Sequence, residues 1–116
     1  MATEIINGTD EMSGAEGAAL ACDPGGIAAE ARPGHFTLAR RLFTERVRER
    51  REWREGYAFC FDTDALEDVA RFVANERKCC PFLSFTVEVS GDRPVWLRMT
   101  GPPGTREFLD VELPMR

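Results

Sequence analysis

No apolar run in this chain approaches the roughly 18 residues that a membrane-spanning helix needs, which excludes a helical membrane protein. Basic residues are also outnumbered: 15 Lys and Arg face 20 Asp and Glu, for a net charge of −5. A general nucleic-acid binder needs the opposite balance, so that class is set aside. The opening Met1-Ala2-Thr3-Glu4-Ile5 lacks the basic start and apolar stretch of a secretion signal. The expectation is therefore a cytoplasmic protein with reduced cysteines, which there serve metals or redox chemistry more often than crosslinks. Cysteines at 22, 60, 79 and 80 have no disulfide-framework spacing. The two spaced cysteine pairs or Cys-His sets of strong zinc motifs are missing too. Gly101-Pro102-Pro103-Gly104-Thr105 resembles the start of an ATPase phosphate loop, but Arg106-Glu107 stand where the essential Gly-Lys-Ser/Thr belongs. Nucleotide hydrolysis is thereby excluded. There is no internal repeat, and 116 residues at 43% hydrophobic content describe one domain with a modest core.

Residues 1–18 are rich in glycine and small residues and predict a disordered tail, with a single domain over 19–116. Ala21-Cys22-Asp23-Pro24-Gly25-Gly26 predicts a turn in an arm that lies over the domain. Phe36, Ala39, Leu42, Phe43 and Val47 have helical spacing, and Glu-to-Arg pairs three and four apart extend the predicted helix to about Trp53. Tyr57 to Asp62 alternates aromatic with small or polar residues, a strand that leaves Cys60 off its aromatic face. A second helix opens at Asp64 with Glu67 three residues on, a capping box, and stops at Pro81. Strands Phe82–Val89 and Pro94–Thr100 flank a hairpin loop at Ser90-Gly91-Asp92-Arg93, and a short helix runs from Thr105 to about Val111. The order helix-strand-helix-strand-strand-helix predicts an α+β fold with helices packed on a three-stranded sheet. A right-handed crossover would make the first two strands parallel. A second copy covering the open sheet face would give a homodimer.

The chemistry concentrates in Asn75-Glu76-Arg77-Lys78-Cys79-Cys80-Pro81-Phe82. On a helical wheel Ala65, Leu66, Val69, Phe72 and Val73 form the buried stripe. Cys80 and Glu76 fall near its centre and Cys79 on its edge. A carboxylate there is inconsistent with its surroundings, and such inconsistencies mark function. The topology also brings Gly101, Gly104 and Thr105 to the same sheet edge, where backbone N–H groups could bind an anion or stabilise a thiolate. Adjacent thiols crosslink each other only through a strained ring, whereas soft ions accept two thiolates and a third donor. Cys22, Glu76 or His35 could be that donor. Blander readings stand beside these: Cys80 and Cys60 as small core residues, Glu76 as a structural tether, and His35 as a capping or surface histidine.

Glu76-Arg77-Lys78-Cys79-Cys80-Pro81-Phe82-Leu83-Ser84-Phe85, followed by Leu97-Arg98-Met99-Thr100-Gly101-Pro102-Pro103-Gly104-Thr105, resembles a group of small, largely uncharacterised bacterial proteins. Their signature is Arg-x-Cys-Cys-Pro-Phe followed by Leu-Thr-Gly-Pro-x-Gly-Thr. Met99 and Pro103 depart from it mildly. The resemblance spans about residues 20–113 and implies that Cys22, Glu76, Cys79 and Cys80 belong to the recurring pattern. It also implies an association with heavy-metal resistance in some members.

Three functions are thus expected in order. The first is binding of a soft metal or metalloid ion (Hg, As, Cu or Zn) by Cys79 and Cys80, with Cys22 and Glu76 as further ligands. The second is a thiol enzyme with Cys79 as nucleophile and Glu76 as proton shuttle. The third is a non-catalytic interaction module with buried thiols.

Overall fold

The computed structural model describes residues 20–113, so the expected disordered tail over 1–18 lies outside the described residues. The chain forms α1 (Arg32–Arg41), which runs into a π-helical turn (Leu42–Arg46), then β1 (Val47–Trp53) and β2 (Gly56–Phe61). A 3-10 turn (Thr63–Ala65) leads into α2 (Leu66–Cys79), followed by β3 (Ser84–Glu88), β4 (Val95–Thr100) and α3 (Thr105–Glu112). This is an α+β fold, but its sheet has four strands rather than three, in the order β1-β2-β4-β3 with every neighbour antiparallel.

The added strand comes from the segment expected to complete the first helix. The helix ends at Arg46, where Val47 turns to extended backbone (φ −67°, ψ 130°), and 47–53 pairs with β2. Its residues are almost all exposed on a sheet edge, so no alternating apolar pattern betrays it. A two-residue turn at Arg54-Glu55 closes the hairpin, with Arg54 at φ 53°, the positive φ such turns favour. The parallel expectation holds for direction and fails for adjacency. Strands β2 and β3 are each antiparallel to β4 and therefore run the same way, but β4 lies between them.

The capping box is also absent. The helix is entered through the 3-10 turn, and Asp64 instead pairs with Arg46 at 2.7 Å. The dipole-compatible charges are present: Glu67 and Asp68 in the first turn of α2, Arg77 and Lys78 in the last.

One sheet face carries Tyr57, Phe59 and Phe61, and the helices close over it. Phe43 sits at the centre, edge-on to Phe59 (4.9 Å) and to Phe72 of α2 (5.1 Å), and all three are fully buried. Such aromatic clusters add specific ring geometry to the area they bury. On the other face, side chains of the sheet itself roof Ala58 and Cys60: Arg51 lies over Trp96 and Arg98 over Trp53, each at 4.9 Å.

Candidate thiol and metal site

The site forms where α2 ends. Helical periodicity carries Val69, Phe72, Glu76 and Cys79 inward together, and Cys80 follows at the C-cap with no exposed surface. Glu76, 4% exposed, therefore enters the core one turn before the cysteines.

The arm supplies the third sulfur. Asp23 N–H donates to the Cys79 carbonyl at 2.7 Å, and the Asp23 carboxylate accepts from Gly25 N–H at 3.0 Å. Gly26 lies so close to the helix that a Cβ there would stand 2.2 Å from the Lys78 carbonyl oxygen. Ile27 then plugs into the core, and Arg32 Nε bridges the carbonyls of Pro24 (3.0 Å) and Ile27 (2.9 Å). The arm is thus held by backbone and core contacts as well as by sulfur.

Cys22 and Cys80 are joined as a disulfide, with their Cα atoms 4.7 Å apart. This corrects the expectation of four reduced cysteines. Spacing arguments missed the bond because its partners are 58 residues apart and are brought together only by the arm's docking. Cys79 remains a free thiol, its sulfur 3.5 Å from Cys80 Sγ and 4.0 Å from Cys22 Sγ. The Cys79 thiol is 3.7 Å from Glu76 Oε1, and Cys80 Sγ is 3.5 Å from Glu76 Oε2. Cys22, Glu76, Cys79 and Cys80 each offer a ligand atom, all within 4.8 Å of one another. Cys60 is excluded: it is buried beneath the opposite sheet face.

His35 is the residue that sequence reasoning misplaced. Expected at a cap or the surface, it is 3% exposed and stacks on Phe72 (5.5 Å, 14° between planes). A carboxylate only accepts, so His35 Nε2 donates to Glu76 Oε1, at 2.8 Å. Its Nδ1 has no hydrogen-bond partner among the described residues. The available signal was the spacing His35, Leu38, Leu42, Phe43, which is as helical as the chosen stripe and is the face the structure buries. Phe36, the first apolar residue of the expected helical spacing, is 45% exposed.

A pocket of about 220 Å³ opens onto the cluster, lined by Cys22, His35, Glu76 and Cys79 with Arg40 and Glu112. Gly101, Gly104 and Thr105 are not among its lining residues. The Thr105 hydroxyl and N–H both go to the Pro102 carbonyl (2.6 and 3.1 Å), and Gly101 packs beside the Phe82 carbonyl. It is the opposite end of α3, at Glu112 and Leu113, that reaches the pocket.

Electrostatics follow from that placement. Burial, then the charge and hydrogen bond of Glu76, then the charge of Glu112, push the Cys79 thiol up to about 12. Burial, and secondarily Glu76, also raises the Glu112 carboxyl. At neutral pH Cys79 is a thiol, which withholds the thiolate that a nucleophile needs. Alkylation of Cys79 by iodoacetamide is therefore expected to be slow at pH 7. It should climb about tenfold per pH unit past the ~8.5 where an ordinary cysteine levels off. A plateau below pH 8 would contradict this placement of Glu76 and Glu112.

No family model, no curated protein and no solved structure matches this chain.

Proposed function

We propose that the protein binds a thiophilic metal or metalloid ion (the Hg, As, Cu and Zn class) through Cys22, Cys79 and Cys80. Glu76 serves as a further ligand or as the carboxylate that orients the thiols. The observation that carries this reading is the convergence of three sulfurs and a carboxylate within 4.8 Å. Soft ions take such donors without backbone strain. In the oxidised form the Cys22–Cys80 bond occupies two of the donors, so the disulfide is the closed state and reduction opens the site. A reducing cytoplasm keeps it open. Because the arm is pinned by Asp23, Gly26 and Ile27 independently of sulfur, Cys22 stays beside Cys79 after reduction. His35 fixes the Glu76 carboxylate by a buried hydrogen bond, the outer-shell arrangement that orients metal ligands.

A thiol–disulfide exchange role is the second reading, since Cys79 Sγ lies within 4.0 Å of both disulfide sulfurs. The raised pKa of Cys79 slows such an attack and equally makes ion binding release a proton and strengthen as pH rises. Substitution separates the two readings. Cys79→Ser and Cys80→Ser are each expected to abolish stoichiometric mercuric-ion uptake by the reduced protein, as counted by native mass spectrometry. Undiminished uptake in both variants would falsify the metal-binding reading.

A further inference from the structure

We infer that the ion this site suits best is a trivalent metalloid presented as its oxyacid, of the arsenous acid class, held by Cys22, Cys79 and Cys80 as an uncharged three-sulfur complex. The inference rests on the reading of these sulfurs as one binding site. Sulfur spacing is the first ground. A two-coordinate linear ion holds its thiolates on opposite sides, roughly 4.6 Å apart at a metal–sulfur distance of ~2.3 Å. Cys79 Sγ is only 3.5 Å from Cys80 Sγ and 4.0 Å from Cys22 Sγ. A centre seated above three sulfurs brings them to roughly 3.8 Å or closer when its bonds spread at tetrahedral angles or less. Cys22 and Cys80 are bonded to each other here, so these spacings describe the oxidised cluster. Cys79 Sγ already lies close to both, and after reduction the smaller sulfur movements lead to a pyramidal or tetrahedral centre rather than a linear one.

Charge separates those two. A divalent ion on three thiolates leaves a net charge of −1, and Glu76 as fourth ligand makes it −2. A cuprous ion on the same sulfurs leaves −2. A trivalent centre leaves zero. The surroundings disfavour added negative charge. Glu76 is 4% exposed and sits against two of the sulfurs, and Glu112 lines the pocket rim. The negative end of the α2 dipole points at Cys79 and Cys80. Arg40, exposed at the rim, is the one arginine or lysine among the lining residues, and the His35 Nε2–H is already committed to Glu76. Burying an anion without a partner in such a place is costly, whereas a neutral complex avoids that cost.

The reaction balances without a charge change. A low-molecular-weight thiol or dithiol reductant first opens Cys22–Cys80, supplying two electrons and two protons. Arsenous acid then exchanges its three hydroxyls for three sulfurs. Three As–S bonds form, three As–O bonds break, and each thiol hydrogen leaves with a hydroxyl as water. Arsenic stays trivalent. The pocket, at about 220 Å³, has room for this four-heavy-atom acid.

The test loads fully reduced protein with arsenite alone, zinc alone, cadmium alone and then arsenite against each. Native mass spectrometry and arsenic X-ray absorption serve as readouts. The expected result is one arsenic per chain with three sulfur neighbours and no oxygen, retained against a tenfold excess of zinc or cadmium. Cys22→Ser should weaken arsenite binding by at least about 100-fold, the upper end of what loss of an outer-shell partner costs a metal site. The same variant should retain cadmium through Cys79 and Cys80, and Cys60→Ser should change neither. Displacement of arsenite by the divalent ions, or an arsenic with two sulfurs and an oxygen, overturns this inference and leaves the binding site standing. Failure of every ion to bind overturns both.

Discussion

His35→Leu is expected to destabilise the fold by about 1–3 kcal/mol, the cost typical of leaving a buried hydrogen-bonding group without its partner. Its Nε2 is 2.8 Å from Glu76 Oε1, both side chains are nearly without solvent, and no other nitrogen donor to Glu76 is seen among the described residues. Urea denaturation of the variant beside the wild-type protein measures this loss. Replacing both residues, His35→Leu with Glu76→Leu, should recover much of the stability while impairing ion binding. An additive loss in the double variant would mean that the two side chains are not coupled.

Gly26→Ala carries the second large effect. The added Cβ would stand 2.2 Å from the Lys78 carbonyl oxygen, a backbone atom at the end of α2 that cannot step aside cheaply. The arm must lift, which pulls Ile27 from the core and Cys22 from the cluster. Overpacking of this kind costs about 1–3 kcal/mol. The chemical consequence is sharper than the energetic one. Air-oxidised wild-type protein should titrate two free thiols, Cys60 and Cys79, whereas the variant should titrate four. Two thiols in the variant would mean that the Cys22–Cys80 bond forms without the close approach.

Much of this site was legible in the sequence because it lies on one well-signalled helix. The stripe through Val69 and Phe72 fixed which way Glu76 and Cys79 must point, and the out-of-place carboxylate marked the site. What stayed hidden depends on tertiary contacts. The segment 47–53 has helix-compatible charge pairs and only Val47 and Trp53 as apolar anchors, so its pairing with β2 decides its form. His35 occupies a helical register one residue away from the one that Phe36 and Ala39 suggested. A single polar residue among apolar ones reads as exposed until its partner, 41 positions away, is in place. Cys22 looked like a candidate ligand without a packing reason. The reason is the arm's docking on α2, which turned a predicted donor into half of a disulfide.

The central claim for this protein is that the three sulfurs act as one reducible site. The direct measurement is native mass spectrometry of the same preparation, oxidised and fully reduced, each titrated with mercuric chloride. One ion per chain on the reduced protein, held by the cluster, and none retained by the oxidised protein after exchange into weak competing thiol is the predicted result. Equal retention by both forms would contradict it, because the Cys22–Cys80 bond would then have no bearing on what Cys79 and its neighbours hold.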